Sequence, residues 1–220
     1  MKKLCINQPA GIGDILYIQK IRKALQMFFE VYHPVNEALL WLKDYLDLIH
    51  SHEECKEIEF DEVLTFDHIT PAVSSPDNPI MLAKYNKVEI PSEDYIEYID
   101  IKRNTKKEKA LFNKKVGSNK YRLICPWFGT PDPDGTGMFK KHIPLSDKLD
   151  NVIMNIEEGY TLFDWIKIIE EAEEIHTTDG AMMFLIEKYP CKATSLVAYS
   201  RRPHTYEIDY LFKKDWHYIT

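Results

Sequence analysis

Residues 3–25 read KLCINQPAGIGDILYIQKIRKAL, and this stretch decides the fold. The apolar residues 4–6 predict a short strand, which runs into the turn QPAGIG at 8–13 and directly into a helix beginning near Gly13 or Asp14. The helix is predicted because apolar residues then recur at a spacing that puts them on one face. Closely spaced glycines let a ligand approach the backbone, and free amides at a helix start favour an anion. The sequence therefore predicts a functional site at the carboxyl end of the first strand.

Asp14 has two interpretations at the start of this helix. A carboxylate in the first helical turn is stabilised by the helix dipole and often only caps free amides. Alternatively, Asp14 faces a cleft above the sheet and accepts a proton from an attacking hydroxyl group as a general base. The stretch is not a dinucleotide-binding fingerprint, because Leu16 stands where that pattern needs a third glycine.

Composition indicates a globular protein. With 220 residues, 45% of them hydrophobic, the chain can bury a substantial core as one large domain or two small ones. No apolar run approaches the roughly 18 residues of a membrane span, and the start is too short for the apolar core of a signal peptide. The four cysteines show no C-x-x-C spacing, which favours buried reduced thiols rather than zinc ligands or disulfides. We therefore expect a soluble, cytoplasmic protein.

Charge is distributed unevenly along the chain. The net charge is −7, but the segment from Lys102 to Arg122 carries nine basic residues and one acid, so it is +8 and the remainder is −15. The acidic remainder argues against a protein dedicated to coating nucleic acid. The basic segment is either a solvated linker or helix surface, or an anchor for a polyanionic acceptor such as DNA or an anionic glycan.

Strand-like and helix-like patterns alternate in both halves, which predicts an α/β fold with parallel sheets covered by helices. Further strands are predicted at 28–32, 58–60, 63–66, 95–101, 122–125, 152–155, 174–176 and 193–198. Helices are predicted over 37–49, from Thr161 with a capping-box acid at Asp164, and over 181–188. The proline-rich segment 67–86 is predicted to be a loop.

Three motifs carry a resemblance to a known family. The first is GIGDIL at 11–16, the second KHIP at 141–144, and the third TDGAMM at 178–183, ahead of a helix and Tyr189-Pro190. In this order they resemble elements of the glycosyltransferase family that includes ADP-heptose:lipopolysaccharide heptosyltransferases, glycosyltransferase family 9.

The resemblance implies a GT-B fold, in which two Rossmann-like α/β/α lobes with parallel sheets face each other across a cleft. We expect an acceptor-side lobe over 1–101, a basic linker over 102–121 and a donor-side lobe over 122–220. The chain would be a shortened, divergent member, because ordinary members are considerably longer.

The resemblance also assigns roles by position. Asp14 would be the general base, and Gly11 and Ile12 would lie on the acceptor side. The residues that would hold the nucleotide-sugar donor are Gly13, Thr130, Lys141, Thr178, Asp179, Gly180, Ala181, Met182 and Arg201, of which Arg201 is alternatively a surface arginine. A lysine and a helix amino terminus both stabilise a leaving diphosphate without a metal, so neither metal nor cofactor is expected.

Other features leave alternatives open. Phe184 stands where the family usually has a histidine, so a phosphate or sugar contact is missing or replaced. Asp132 and Asp134 are turn formers or, alternatively, ligands of a divalent ion at the diphosphate. Trp127 and Phe128 belong to the core or stack on a base or sugar.

The predicted function is an inverting, metal-independent glycosyltransferase that acts on a hydroxyl group of a glycan or a modified nucleobase, the latter reached through the basic segment. A non-catalytic nucleotide-sugar or nucleic-acid binding module of the same architecture is the alternative. A nucleotide-binding enzyme of different chemistry is a third reading.

Overall fold

The computed structural model describes residues 1–8, 11–66, 80–117, 119–129, 138–201 and 209–219. The chain divides into two compact units, Met1–Lys102 and Arg103–Thr220. Each unit contains a parallel β-sheet with helices in the connections, so the predicted α/β fold is confirmed.

The first unit is built on a four-stranded sheet. Its strands are β1 (Lys2–Asn7), β2 (Phe29–Val35), β3 (Ile49–Ser51) and β4 (Glu62–Thr65), in the order β3-β2-β1-β4. All three pairings are parallel. Leu4, Cys5 and Ile6 on central β1 are buried, because a central parallel strand is covered on both faces. The predicted strand at 4–6 is therefore the middle of this sheet.

Short helices connect the strands of the first unit. They are α1 (Ile12–Tyr17), α2 (Gln19–Leu25), α3 (His52–Cys55) and α4 (Ile80–Lys87), with 3₁₀-helices at Glu37–Asp44 and Tyr95–Tyr98. The helix predicted from the opening stretch is thus two helices that meet at Ile18, whose side chain is fully buried.

Three predictions for the first unit are wrong. The helix predicted over 37–49 ends early, because Leu48 adopts a left-handed backbone conformation (φ 62°) and the chain enters β3. The strand predicted at 58–60 is absent, since Ile58 donates its N–H to Cys55 in a turn. The alternating stretch 95–101 forms a 3₁₀-helix, because Tyr95 packs inward edge-on against Tyr17 rather than joining the sheet.

The second unit contains a five-stranded parallel sheet. Its order is β11-β10-β9-β5-β8, from β5 (Tyr121–Cys125), β8 (Asp150–Ile153), β9 (Glu174–Thr178), β10 (Ser195–Tyr199) and β11 (Trp216–Ile219). An antiparallel hairpin of β6 (Trp127–Gly129) and β7 (Met138–Lys140) follows β5. The helices are α5 (Thr105–Lys115), α6 (Ile166–Glu171) and α7 (Ala181–Lys188), with 3₁₀-helices at Leu162–Trp165 and Asp209–Leu211.

Most of the basic segment is a packed helix of the second unit, whereas the sequence predicted a linker over 102–121. Leu111 on α5 is fully buried, and buried Glu108 pairs with Arg103. Six of its nine basic side chains have a carboxylate partner in their own unit: Lys102, Arg103, Lys114, Lys115, Lys120 and Arg122. These pairs favour the interpretation as a helix surface, and contact with DNA stays a prediction.

The four cysteines are free thiols, and three of them are buried. Among the helices that the structure describes, none has the length and apolar character needed to cross a bilayer.

Candidate active site

Asp14 lies in the first turn of α1, the helix that follows β1 in the chain, as the sequence predicted. The N-cap of this helix is Gly11, whose extended backbone leads from the turn into Ile12 and Gly13. The Asp14 carboxylate forms an ion pair with Lys84. Its side chain remains 28% exposed, so solvent or a substrate can reach it.

Lys84 is the functional candidate that the sequence interpretation missed. It lies on α4, within the segment predicted as a loop, and its side chain is only 2% exposed. A buried ammonium group needs a partner, and Asp14 supplies one. The available signal was that the prolines stop at Pro79 and the next ten residues contain neither proline nor glycine.

Aromatic packing fixes α4 against the first helix. Tyr85 is fully buried and donates its hydroxyl hydrogen to the backbone oxygen of Tyr17, 2.6 Å away. The two rings meet edge to face with centroids 4.9 Å apart, and the Tyr95 ring also meets Tyr17 edge to face, with centroids 4.6 Å apart. Lys84 therefore approaches Asp14 from a rigid support rather than from a mobile loop.

In the second unit, the carboxyl ends of β9 and β10 bring Asp179 and Arg201 together. The Asp179 residue is only 3% exposed. Its carboxylate accepts hydrogen bonds from the backbone N–H of Arg201 at 2.8 Å and from the Arg201 Nε at 2.9 Å. Burial raises the pKa of Asp179, and Arg201 opposes that rise. This pair ties Arg201 to the residue that follows β9.

Lys141 joins the same cluster. Its backbone N–H donates to the Pro126 oxygen at 2.9 Å, and its Nζ donates to the backbone oxygen of Ser200 at 2.6 Å. Ser200 immediately precedes Arg201, so the Lys141 ammonium lies beside the segment that carries Arg201. Among the residues that the structure describes, no carboxylate forms an ion pair with Lys141. Thr178 is buried and donates its hydroxyl hydrogen to the Trp127 oxygen at 3.0 Å, so it anchors the neighbouring hairpin.

The start of α7 adjoins this cluster. Gly180 is the N-cap, has an extended backbone and supplies no side-chain cap. Apart from the two chain neighbours of Gly180, no described residue has a heavy atom within 4 Å of a Cβ atom placed there, which leaves space beside the helix start. Ala181 and Met182 begin the helix, and Met182 is buried, so its backbone rather than its side chain is available to a ligand. The first amides of a helix lack intrahelical partners and attract anions.

Several predicted residues fall elsewhere. Thr130, Asp132 and Asp134 lie outside the described residues. Phe184 is buried on α7 and packs edge to face on Phe212 with centroids 5.2 Å apart, so it fills the core. Gly13, predicted on the donor side, lies in the same helical turn as Asp14 in the first unit. Within the described ranges, no group of three or more His, Cys, Asp or Glu side chains is arranged to hold a metal ion.

Comparison with known proteins identifies the fold. No family model matches the sequence, and no curated protein matches it. Among solved structures, a glycosyl transferase family 9 from Veillonella parvula DSM 2008 aligns with 99% of this chain and 86% of its own, at a TM-score of 0.57 and 9% identity. The chain has the fold of a family 9 glycosyltransferase. At this identity the likeness establishes the fold and leaves the reaction open.

Two structures of the E. coli heptosyltransferase WaaC are also similar. The one with ADP-2-deoxy-2-fluoro heptose aligns with 99% of this chain and 92% of its own at 10% identity and a TM-score of 0.48. The one with ADP aligns with 90% of this chain and 86% of its own at 11% identity and a TM-score of 0.41. The resemblance predicted from the three motifs is thus confirmed at the level of the glycosyltransferase family 9 fold.

Proposed function

We propose that the chain is a glycosyltransferase that moves a sugar from a nucleotide-sugar donor to a hydroxyl group of a glycan or a modified nucleobase. One observation carries this proposal: in a glycosyltransferase fold, the accessible carboxylate of Asp14 lies at the carboxyl end of the first strand and is held by a buried lysine. Ligands of open α/β sheets bind at the carboxyl ends of the strands.

The first unit supplies the base in this proposal. Lys84 contacts Oδ1 of Asp14, which leaves Oδ2 as the oxygen assigned to the acceptor proton. As the acceptor oxygen bonds to the anomeric carbon of the donor, its proton passes to Asp14. Lys84 is a positioning residue, because its ion pair restricts the rotation of the carboxylate.

The second unit supplies the leaving-group site. The bond between the anomeric carbon and the diphosphate oxygen breaks, and its electron pair leaves with the nucleoside diphosphate. Lys141, Arg201 and the amides that begin α7 are the groups assigned to that charge. Attack on the face opposite the departing diphosphate inverts the anomeric carbon. Since protein cations and amides meet the charge, the proposed reaction uses no metal.

A thermal-shift screen with UDP-, GDP- and ADP-sugars tests the proposal. A ligand at 100 times its Kd raises the free energy of unfolding by about 2.7 kcal/mol, which the melting temperature reports. We expect one nucleotide class to stabilise the protein, and release of the nucleoside diphosphate to depend on added acceptor. Failure of every nucleotide sugar to stabilise the protein would reject the proposal.

The alternative is a binding module without turnover. One observation favours it: a partly buried Asp14–Lys84 pair is also what a purely structural ion pair looks like. The screen separates the two, because a module binds a nucleotide sugar but releases no nucleoside diphosphate with any acceptor. Acceptor binding that weakens steeply with salt would point to DNA as the acceptor.

A further inference from the structure

The β6–β7 hairpin presents an exposed aromatic pair. Phe128 and Phe139 are directly opposite each other in the antiparallel register, and their rings stack with centroids 5.5 Å apart and planes 25° apart. The Phe139 residue is 59% exposed, and Phe128 is half-buried. A phenylalanine with this exposure gains little from the core of its own chain, so its ring surface is available to a ligand.

The base of the hairpin, where its first strand begins and its second strand ends, is hydrogen-bonded to residues of the candidate donor site. The Trp127 oxygen accepts the Thr178 hydroxyl hydrogen at 3.0 Å, and the Pro126 oxygen accepts the Lys141 N–H at 2.9 Å. The Trp127 indole also donates to the Met154 oxygen at 3.0 Å. The aromatic pair is therefore carried by a hairpin bonded at its base to the candidate donor site, and Phe139 lies two residues before Lys141, which is assigned to the diphosphate.

Two lysines follow the aromatic pair along the chain. Lys140 follows Phe139 and places its ammonium 5.5 Å from the centre of the Trp127 ring, on the strand that leads directly to Lys141. Side chains alternate along a strand, so Phe139 and Lys140 point to opposite faces of the hairpin. Exposed flat rings beside a cationic cluster complement a molecule that joins an aromatic ring to phosphates.

We propose that the Phe128–Phe139 pair is the stacking platform for the base of the donor nucleotide, an inference that rests on the proposed function. Every nucleobase has a π-face, and stacking on an aromatic side chain tolerates any base. The platform therefore contributes affinity for the nucleoside part, whereas Lys141 and the α7 amides contribute affinity for the diphosphate. The competing explanation is that the two rings only stabilise the hairpin as a cross-strand pair.

Calorimetric titration with two probes separates these explanations. The probes are inorganic pyrophosphate, which has no base, and the nucleoside diphosphate of the stabilising class. Phe139→Ala should weaken nucleoside diphosphate binding about 5- to 50-fold and leave pyrophosphate binding unchanged. Phe139→Trp should retain or improve nucleotide binding, because the indole offers a larger stacking face. Phe28→Ala removes a phenylalanine of the first unit that is 69% exposed, more than Phe139, and should change neither affinity.

The other outcomes would reject either the stacking platform or the proposed function. If wild-type protein binds the nucleoside diphosphate and Phe139→Ala binds it equally well, the platform is wrong and the proposed function stands. Equal loss of both probes in Phe139→Ala would show that the rings only support the hairpin and Lys141. If wild-type protein binds neither probe, the proposed function itself fails.

Discussion

The two units of the chain fix their candidate groups in different ways. In the first, one accessible carboxylate depends on a buried lysine 70 residues away in sequence, on a helix held by tyrosine packing. In the second, all three candidate side chains follow strand ends. Lys141 donates to the backbone oxygen of Ser200, and the Asp179 carboxylate accepts from the backbone N–H and the Nε of Arg201. The first site therefore depends on tertiary packing, whereas the second follows directly from the topology of its sheet.

The largest effect should come from Asp14→Asn. The amide oxygen can still accept a hydrogen bond from Lys84, but it cannot take the acceptor proton. We expect turnover to fall about 10²- to 10⁴-fold, measured as initial rates of nucleoside diphosphate release. Asp44→Asn, at an exposed aspartate of the same unit, should keep the wild-type rate. A fully active Asp14→Asn protein would remove Asp14 from its assigned role.

Loss of Asp14 and loss of Lys84 should lower the free energy of unfolding by different amounts. Asp14→Ala leaves the ammonium of Lys84, which is 2% exposed, buried without a charge partner, and should lower the free energy of unfolding by about 3 kcal/mol. Lys84→Met leaves a carboxylate that is 28% exposed and can be hydrated, so it should cost about 1 kcal/mol or less. Urea unfolding measures both values.

Lys84→Met should also lower kcat while nucleoside diphosphate binding is unchanged, because the base loses its orientation and the second unit is untouched. Lys84→Arg restores the positive charge and should recover part of the rate. Equal destabilisation by the two single substitutions, together with an unchanged kcat in Lys84→Met, would make the pair purely structural.

Acid should destabilise both units through buried histidines. Burial, assisted by Arg22 and His50, lowers the pKa of His33 well below its usual range, and burial lowers the pKa of His176 to about 4. Because the folded-state pKa values are depressed, the unfolded chain binds more protons below about pH 6.5, and stability is lost as the pH falls through that value.

For His176, the lowered pKa predicts that the free energy of unfolding decreases by about 2 kcal/mol from pH 7 to pH 5. Urea unfolding at the two pH values measures it. His176→Asn should remove that share of the pH dependence, and His33→Asn should remove a separate share. If neither substitution alters the difference between pH 7 and pH 5, the buried-histidine explanation is incorrect.

The smallest effect should come from Gly180→Ser. The backbone there is extended and the added Cβ meets open space, so the fold should be retained, and a serine N-cap should stabilise α7 by a few tenths of a kcal/mol. The same side chain would occupy the path of a diphosphate to the helix amides, so donor affinity should fall roughly 10-fold. Thermal unfolding and calorimetric titration measure the two opposite changes. Unchanged affinity would place the diphosphate elsewhere.

Helices and strands were predicted best where the local apolar pattern agrees with the way the element packs in the fold. Helix α7 has the predicted bounds 181–188, and the capping-box hydrogen bond from the Thr161 N–H to Asp164 is present at 2.7 Å. Strand β5 also lies where apolar periodicity placed it. These elements bury apolar residues that are contiguous in the chain, which is the pattern that periodicity detects.

Prediction was poorer where packing between distant segments decides the structure. Alternation at 95–101 favoured a strand, but the buried contact between Tyr95 and Tyr17 outweighs it. The motifs proposed Asp14, Lys141 and Asp179 as candidates. They did not indicate Lys84, because its burial depends on a tyrosine cluster drawn from three separated segments. The β6–β7 hairpin was missed because each strand has only three residues.

We propose that the first unit supplies the base and the second unit binds the diphosphate. The most direct test titrates the nucleoside diphosphate of the stabilising class into wild-type, Asp14→Asn and Lys141→Met proteins under one set of conditions. We expect Asp14→Asn to bind with the wild-type Kd and Lys141→Met to bind about 10-fold or more weakly, since it loses a charged contact to the diphosphate. Equal affinity in wild-type and Lys141→Met proteins, or a comparable loss in Asp14→Asn, would contradict this proposal.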